Sequence, residues 1–167
     1  MNLYLGLPLM AVLALIHSVL LSRVNLWGAR LDLMLLFILT WTSARGVDEG
    51  LAWGFLGGLI VDLLSRGPLG ATALALMAVA FLTGQPWGQR LGSPGLRLLI
   101  VALAGVLVYH LILLISLAWT GHTLDWQFAL TRVVLPSVLF NALLAPFIRR
   151  PVGWLARRVR REGLTLE

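Results

Sequence analysis

The chain has 167 residues, of which 59% are hydrophobic and only 12% are charged. A soluble globular domain has about 45–50% apolar and about 25% charged residues, so this composition excludes that class and predicts a membrane domain of several spans. There is no cysteine, which excludes disulfides, thiolate metal sites and cysteine nucleophiles. All 13 basic residues are arginine, and most of the +6 charge lies beside a hydrophobic span, which favours a lipid bilayer over a nucleic acid as the partner.

Six hydrophobic segments follow one another along the chain. They cover residues 3–21, 31–44, 50–64, 68–83, 96–119 and 128–148. The first is expected to be a retained anchor, because no basic residue precedes it and no small-x-small cleavage site follows it. The second is short for a hydrocarbon layer that needs about 20 residues. We therefore predict an all-α integral membrane protein, with a compact bundle of six transmembrane helices in residues 1–150.

Residues 151–167 form a basic tail. Pro151 suits the first position of a helix. On such a helix Val152, Leu155 and Val159 share one side. The other side carries Arg157, Arg158, Arg160 and Arg161. This pattern predicts a cytoplasmic amphipathic helix on the membrane surface, with about 1 kcal/mol of attraction to anionic lipid for each arginine.

The arginines also predict the orientation. Six spans place both termini on the same side, and nine arginines then lie on that side against four on the other. The four are Arg23, Arg30, Arg66 and Arg132. The positive-inside rule therefore predicts that both termini are cytoplasmic. Without the tail the count is three against four, so this prediction depends on residues 149–161.

A stripe of glycines marks the third segment. Gly50, Gly54 and Gly58 recur every four residues, and Asp62 and Arg66 continue the same spacing. Glycines at this spacing let a second helix approach closely in lipid, although the sequence does not say whether that helix belongs to this chain or to a partner. We expect Asp62 to pair with Arg66, just before a tight turn. The predicted partner-binding surface comprises Gly50, Gly54, Gly58, Asp62, Ser65, Arg66, Pro68, Leu69 and Gly70.

Other polar residues inside the segments are few. They include His17, His110, Arg132 and Asn141. We expect His110 to bond Asn141 or a backbone carbonyl, and Arg132 to extend toward the membrane surface near Asp125. No second membrane-embedded carboxylate is evident to pair with Asp62, and the three histidines lack metal-ligand spacing. The sequence therefore predicts no enzyme, cofactor or metal site.

The third segment resembles the MreD family of the bacterial cell-elongation machinery. The resemblance lies in Gly-Phe-Leu-Gly-Gly-Leu-Ile-Val-Asp-Leu-Leu-Ser at residues 54–65, followed by Pro-Leu-Gly at 68–70. Arg-Leu-Asp-Leu at 30–33 and Asp-Glu-Gly at 48–50 support it, although Leu31 stands where the family often has proline.

The resemblance implies a non-enzymatic scaffold in the bacterial inner membrane. Its implied direct partner is MreC, which has one span and an external domain. MreB, RodA and the penicillin-binding transpeptidase of RodA are implied as indirect partners in cell-shape determination and peptidoglycan synthesis.

A second function stays open. Proteins of the MreD family are similar in fold to the substrate-binding subunits of energy-coupling-factor transporters, which implies small-molecule binding as an alternative. Two features argue against it. Ala11 and Ala14 are three residues apart rather than the four of the coupling motif in such subunits, and the external loops are short and poor in polar groups.

Overall fold

A computed structural model describes residues 3–17, 30–65, 67–86 and 93–163. Five helices come first: α1 (Leu3–Leu15), α2 (Leu33–Arg45), α3 (Val47–Leu64), α4 (Ala71–Gly84) and α5 (Pro94–Trp119). The sixth, α6, begins as a short α-helical segment (Trp126–Phe128), continues as a π-helix (Ala129–Val134) and ends as an α-helix (Leu135–Gly163). These ranges contain no strand, so the predicted all-α class and the order of six helices are confirmed.

Helix α2 lies at the centre of the bundle. All nine residues from Met34 to Thr42 are buried, and α2 contacts each of the other five helices. A helix surrounded on all sides must be apolar on all sides, as this one is. Its hydroxyl groups are satisfied locally, since Thr40 and Thr42 donate to the carbonyls of Leu36 and Ile38 at 2.6 and 2.7 Å.

A tight turn joins α2 to α3. Gly46 adopts a positive φ of 100°, which favours glycine. Arg45 forms an ion pair of 2.7 Å with Glu49, which also accepts a hydrogen bond from the Trp41 indole. Burial raises the pKa of Glu49 while the hydrogen bond and charge of Arg45 lower it, and the pKa lies below its ordinary value of 4.5. Polar contacts therefore fix this turn.

Two described helices, Gly95–Trp119 and Trp126–Arg158, are long and apolar enough to cross a bilayer. Helix α2 has 13 residues and is about 20 Å long, and α3 has 18 residues but carries three carboxylates. On α6 a stripe of large apolar side chains at four-residue spacing faces outward, each more than 60% exposed. It consists of Leu135, Leu139, Leu143 and Phe147. Such a stripe is expected of a helix that faces lipid, and the six-span topology stays a prediction.

The tail is continuous with the last helix. Pro151 lies inside α6, so its predicted position at the start of a separate helix is wrong. A proline inside a helix forfeits one backbone hydrogen bond, and packing holds this segment in place, because Val152 and Ala156 are buried against the bundle. Arg157 and Arg158 are exposed, which agrees with the predicted polar side. The side chains of Val159, Arg160 and Arg161 lie outside the described residues.

Candidate functional site

Asp62 joins the end of α3 to the start of α4. Its carboxylate is only 2% exposed and accepts hydrogen bonds from the backbone N–H groups of Gly70, Thr72 and Ala73, at 2.9, 3.1 and 3.3 Å. The first N–H groups of a helix have no acceptor within the helix, and a negative charge is favourable there. Asp62 therefore caps α4 from a position eight to eleven residues earlier in the chain.

The turn after Asp62 forms an exposed surface. Ser65 is exposed and donates to the Asp62 carbonyl at 3.3 Å, and Leu69 is 71% exposed. Pro68 and Gly70 are half-buried, and Gly70 has a φ of 87°. Arg66 lies outside the described residues, so the expected Asp62–Arg66 pair stays a prediction. The carboxylate itself is occupied by backbone donors.

The glycine stripe packs inside the chain. A β-carbon at Gly54 would lie 3.2 Å from the carbonyl oxygen of Leu76, and one at Gly58 would collide with the backbone of Thr72 and Ala73, both on α4. Gly50 packs against the side chain of Thr42 on α2. The neighbouring helices therefore belong to this chain, which resolves the alternative left open by the sequence. Partner binding by these three glycines stays a prediction.

An apolar groove of about 570 Å³ runs along the outside of α3 and α4. We call it the α3–α4 groove. Its walls include Leu51, Phe55, Leu74, Met77, Ala78 and Phe81. Phe55, Leu74 and Phe81 are 47%, 60% and 57% exposed. The glycines let α3 and α4 pack closely together. The large side chains that flank this helix contact form the walls of the groove.

A second cavity, of about 610 Å³, lies where α3 ends and α4 begins. We call it the Asp32 cavity. Its polar lining comes from α3, α4 and α5 and from residues just after α1 and just before α2. It includes His17, Asp32, Asp62, Thr72, Tyr109 and His110. Asp32 is 6% exposed, so a second buried carboxylate, which the sequence analysis did not single out, lines the same cavity as Asp62.

Helix α6 fixes the position of Asp32. The Asp32 N–H donates to the side-chain oxygen of Asn141 at 2.9 Å, and the Asn141 amide donates to the Arg30 carbonyl at 2.7 Å. The Arg30 N–H donates to the Ser137 hydroxyl at 3.0 Å. Residues 30–32 are therefore bound as an extended segment by side chains more than a hundred positions later. The sequence offered only the Arg-Leu-Asp-Leu pattern as a signal of this site.

The other polar contacts predicted from the sequence have different outcomes in the structure. His110 Nδ1 lies 2.9 Å from the Val106 carbonyl, which confirms the predicted bond to the backbone, whereas Asn141 holds residues 30–32 instead. Arg132 is exposed and forms no ion pair with Asp125 within the described ranges, so its expected extension toward the membrane surface stays a prediction. The Asp125 carboxylate instead caps α6 by accepting from the Phe128 N–H at 3.1 Å.

Arginines line a third cavity, of about 640 Å³, between the start of α5 and the later part of α6. We call it the arginine groove. Arg149, Arg150 and Arg157 contribute to it, together with Leu98 and Leu99. Arg158 instead stacks on Trp154, with its guanidinium carbon 4.4 Å from the ring centroid. This surface combines positive charge with apolar side chains.

The described part of the chain contains no group of three histidine, aspartate or glutamate residues that could hold a metal ion. Comparison with curated proteins and with solved structures found no match. The family described as rod shape-determining protein MreD matches residues 2–159, which is nearly the whole chain. The chain therefore belongs to the MreD family of membrane proteins, which act in rod-shape determination.

Proposed function

We propose that this protein is a non-enzymatic scaffold of the cell-elongation complex and that it binds MreC directly. The family match over residues 2–159 supports a role in cell shape. The chemistry of Asp62 also supports a structural role, because three backbone N–H groups use its carboxylate. Support for peptidoglycan synthesis then follows from the complex as a whole, in which MreB, RodA and its penicillin-binding transpeptidase are indirect partners.

The α3–α4 groove is the proposed binding site for the single transmembrane helix of MreC. Association of helices in lipid depends on close van der Waals packing, and a groove with apolar walls offers this to an apolar helix. Three of its large side chains are about half exposed in the described structure, so a partner helix would cover them. Gly70, in the turn that follows α3, lines one end of the groove. In the predicted orientation this turn lies on the external side, where the external domain of MreC is expected.

The remaining parts of the proposal concern the membrane. We place the protein in the bacterial inner membrane with six spans and both termini in the cytoplasm, on the distribution of arginines. The arginine groove then lies at the cytoplasmic surface, where Arg149, Arg150 and Arg157 would bind anionic lipid headgroups. Arg158, Arg160 and Arg161 would extend this attraction along the tail.

Filling the groove tests the proposal. Ala78 lines it and is half-buried, so Ala78→Trp should occupy the space intended for a helix. Leu139→Trp is the matched control, since Leu139 is 62% exposed on the outer stripe of α6. We expect Ala78→Trp to express normally and to recover much less MreC in co-purification, while the control recovers wild-type amounts. Equal recovery by both variants would refute the groove as the binding site.

The Asp32 cavity favours one alternative, a small-molecule-binding subunit of a transporter similar to energy-coupling-factor systems. The external loops are short, but most of the cavity wall comes from the helices, and Ser65, Gly67 and Pro68 of the turn between α3 and α4 complete it. This function would require a second, energy-supplying protein. Recovery of a nucleotide-hydrolysing partner instead of MreC in the same co-purification would favour it.

A further inference from the structure

We propose that the Asp32 cavity binds a small organic cation, with an ammonium or amidinium group against Asp32 and His17 and an apolar body against the helices. This inference is independent of the scaffold proposal, because the cavity and the α3–α4 groove share no large side chain.

The Asp32 carboxylate has a buried oxygen without a hydrogen-bond partner among the described residues. Asp32 precedes α2 at the position where an aspartate normally accepts a hydrogen bond from the first turn, yet its side chain makes no such bond. Its Oδ1 atom is buried and has no hydrogen-bond partner among the described residues. A buried carboxylate oxygen without a hydrogen-bond donor is unfavourable, so a ligand with N–H donors would satisfy it.

His17 lies beside the Asp32 carboxylate. Its Nδ1 atom lies 3.5 Å from Asp32 Oδ1, and this nitrogen also lacks a hydrogen-bond partner within the described ranges. In the neutral tautomer with its proton on Nε2, Nδ1 is an acceptor. Two acceptors at this separation suit one group that carries several N–H donors. Ammonium and amidinium groups carry such donors together with the charge that complements a carboxylate.

The charged side chains around Asp32 favour a cation over an anion. Asp32 and Asp62 both line the cavity, and among the described residues no arginine lies within ion-pair distance of Asp32. Arg30 also lines the cavity, but it is exposed. An anionic group at the position of Asp32 would be repelled, whereas a cation would be attracted.

The rest of the lining is apolar and held in place. Val61, Leu113, Leu117 and Val134 contribute aliphatic walls. The volume of about 610 Å³ falls in the range of about 300–1,000 Å³ that is usual for small-molecule sites. Asn141 fixes the segment that carries Asp32, so the polar end of the site is ordered before a ligand binds.

The experiment uses the full-length protein in detergent and measures thermal unfolding with increasing tryptamine. Tryptophol has the same indole ring with a hydroxyl in place of the amine, and indole-3-propionate replaces the amine by a carboxylate. We expect a saturable stabilisation by tryptamine and none by the two analogues. Absence of a saturable shift with tryptamine, or an equal shift with tryptophol, would refute the proposal.

Variants assign the effect to the site. Asp32→Asn removes the charge at almost constant shape and should weaken tryptamine binding at least tenfold. Asp48→Asn is the control, because Asp48 is exposed at the far end of α3, and it should bind as the wild type does. His17→Leu provides a second measurement if Asp32→Asn does not fold, and it should also weaken binding. Unchanged affinity in His17→Leu or in a folded Asp32→Asn would refute the assignment.

A lipid amine is the other source of the same chemistry. The protein is reconstituted in nanodiscs of phosphatidylethanolamine or of phosphatidylglycerol and examined by native mass spectrometry. Retained phosphatidylethanolamine that is lost in Asp32→Asn would identify a lipid ammonium as the ligand. Retention of neither lipid, together with tryptamine binding, would identify a free amine. Retained phosphatidylglycerol that is lost in Asp32→Asn would contradict a cation site.

Discussion

Removal of the Asp62 carboxylate should destabilise the protein itself. In Asp62→Ala, three backbone N–H groups lose their acceptor, and those of Thr72 and Ala73 are buried. An unpaired buried donor costs about 1–3 kcal/mol, so two cost about 2–6 kcal/mol. Lost helix caps cost up to about 2 kcal/mol in other proteins, and water from the adjoining cavity would relieve part of the penalty, so we expect about 2–4 kcal/mol.

The assay is thermal unfolding of the purified variant. At about 2–4 °C for each kcal/mol in a chain of this length, the midpoint should fall by about 4–16 °C. Asp48→Ala is the control, since Asp48 is an exposed carboxylate in the first turn of α3, and its midpoint should stay close to that of the wild type. Asp62→Asn should fall between the two, because its amide keeps one acceptor oxygen.

The role of Asp62 as the cap of α4 and its expected ion pair with Arg66 predict different outcomes for Asp62→Ala. With Asp62 paired to Arg66 on the surface, Asp62→Ala would weaken partner binding and leave expression unchanged. With Asp62 as the cap of α4, expression should decrease as well. A midpoint for Asp62→Ala equal to that of Asp48→Ala would show that the hydrogen bonds from Gly70, Thr72 and Ala73 contribute little, and it would refute the reasoning.

Three further predictions concern other parts of the molecule. Gly58→Leu should force α3 and α4 apart, at a cost of at least about 1–3 kcal/mol, and so lower expression. Gly95→Leu is the control, because the space beside Gly95 is open, and its expression should not fall. Equal expression of the two variants would contradict this prediction. Because the pKa of Glu49 is lowered in the folded protein, its pairing with Arg45 stabilises above pH 4.5 and is lost as the pH falls below that value. Glu49→Gln should reduce this loss in unfolding measured from pH 6 to pH 3, and an unchanged profile would contradict it. Replacement of the four arginines in 157–161 by glutamine should give mixed orientation in reporter fusions at the C-terminus, and a uniform orientation would show that the tail does not decide topology.

Local spacing predicted the helices and the packing of the glycine stripe. The order of six apolar segments matches the six helices, and the four-residue repeat of Gly54 and Gly58 corresponds to their contact with α4. Spacing alone also suggested Arg66 as the partner of Asp62. The acceptor role of Asp62 depends on how the chain turns between residues 65 and 70, and no periodic pattern encodes that path.

The Asp32 cavity could not be predicted from local patterns. Asp32 stands at the edge of an apolar segment, where a carboxylate is usually exposed to water. Its burial results from Asn141, which lies 109 positions later and binds the segment against α6. The sequence also does not reveal the central position of α2. An apolar helix of 13 residues has the same composition whether it faces lipid or five neighbouring helices.

Site-directed cross-linking tests the central claim most directly, since the chain has no cysteine and single cysteines can be introduced cleanly. Leu74→Cys places a thiol in the α3–α4 groove, and Leu139→Cys places one at equal exposure, 60% against 62%, on α6. With single cysteines along the span of MreC, we expect cross-links from position 74 at helical spacing and none from position 139. Cross-links from position 139 alone, or from neither position, would contradict binding of MreC in the groove.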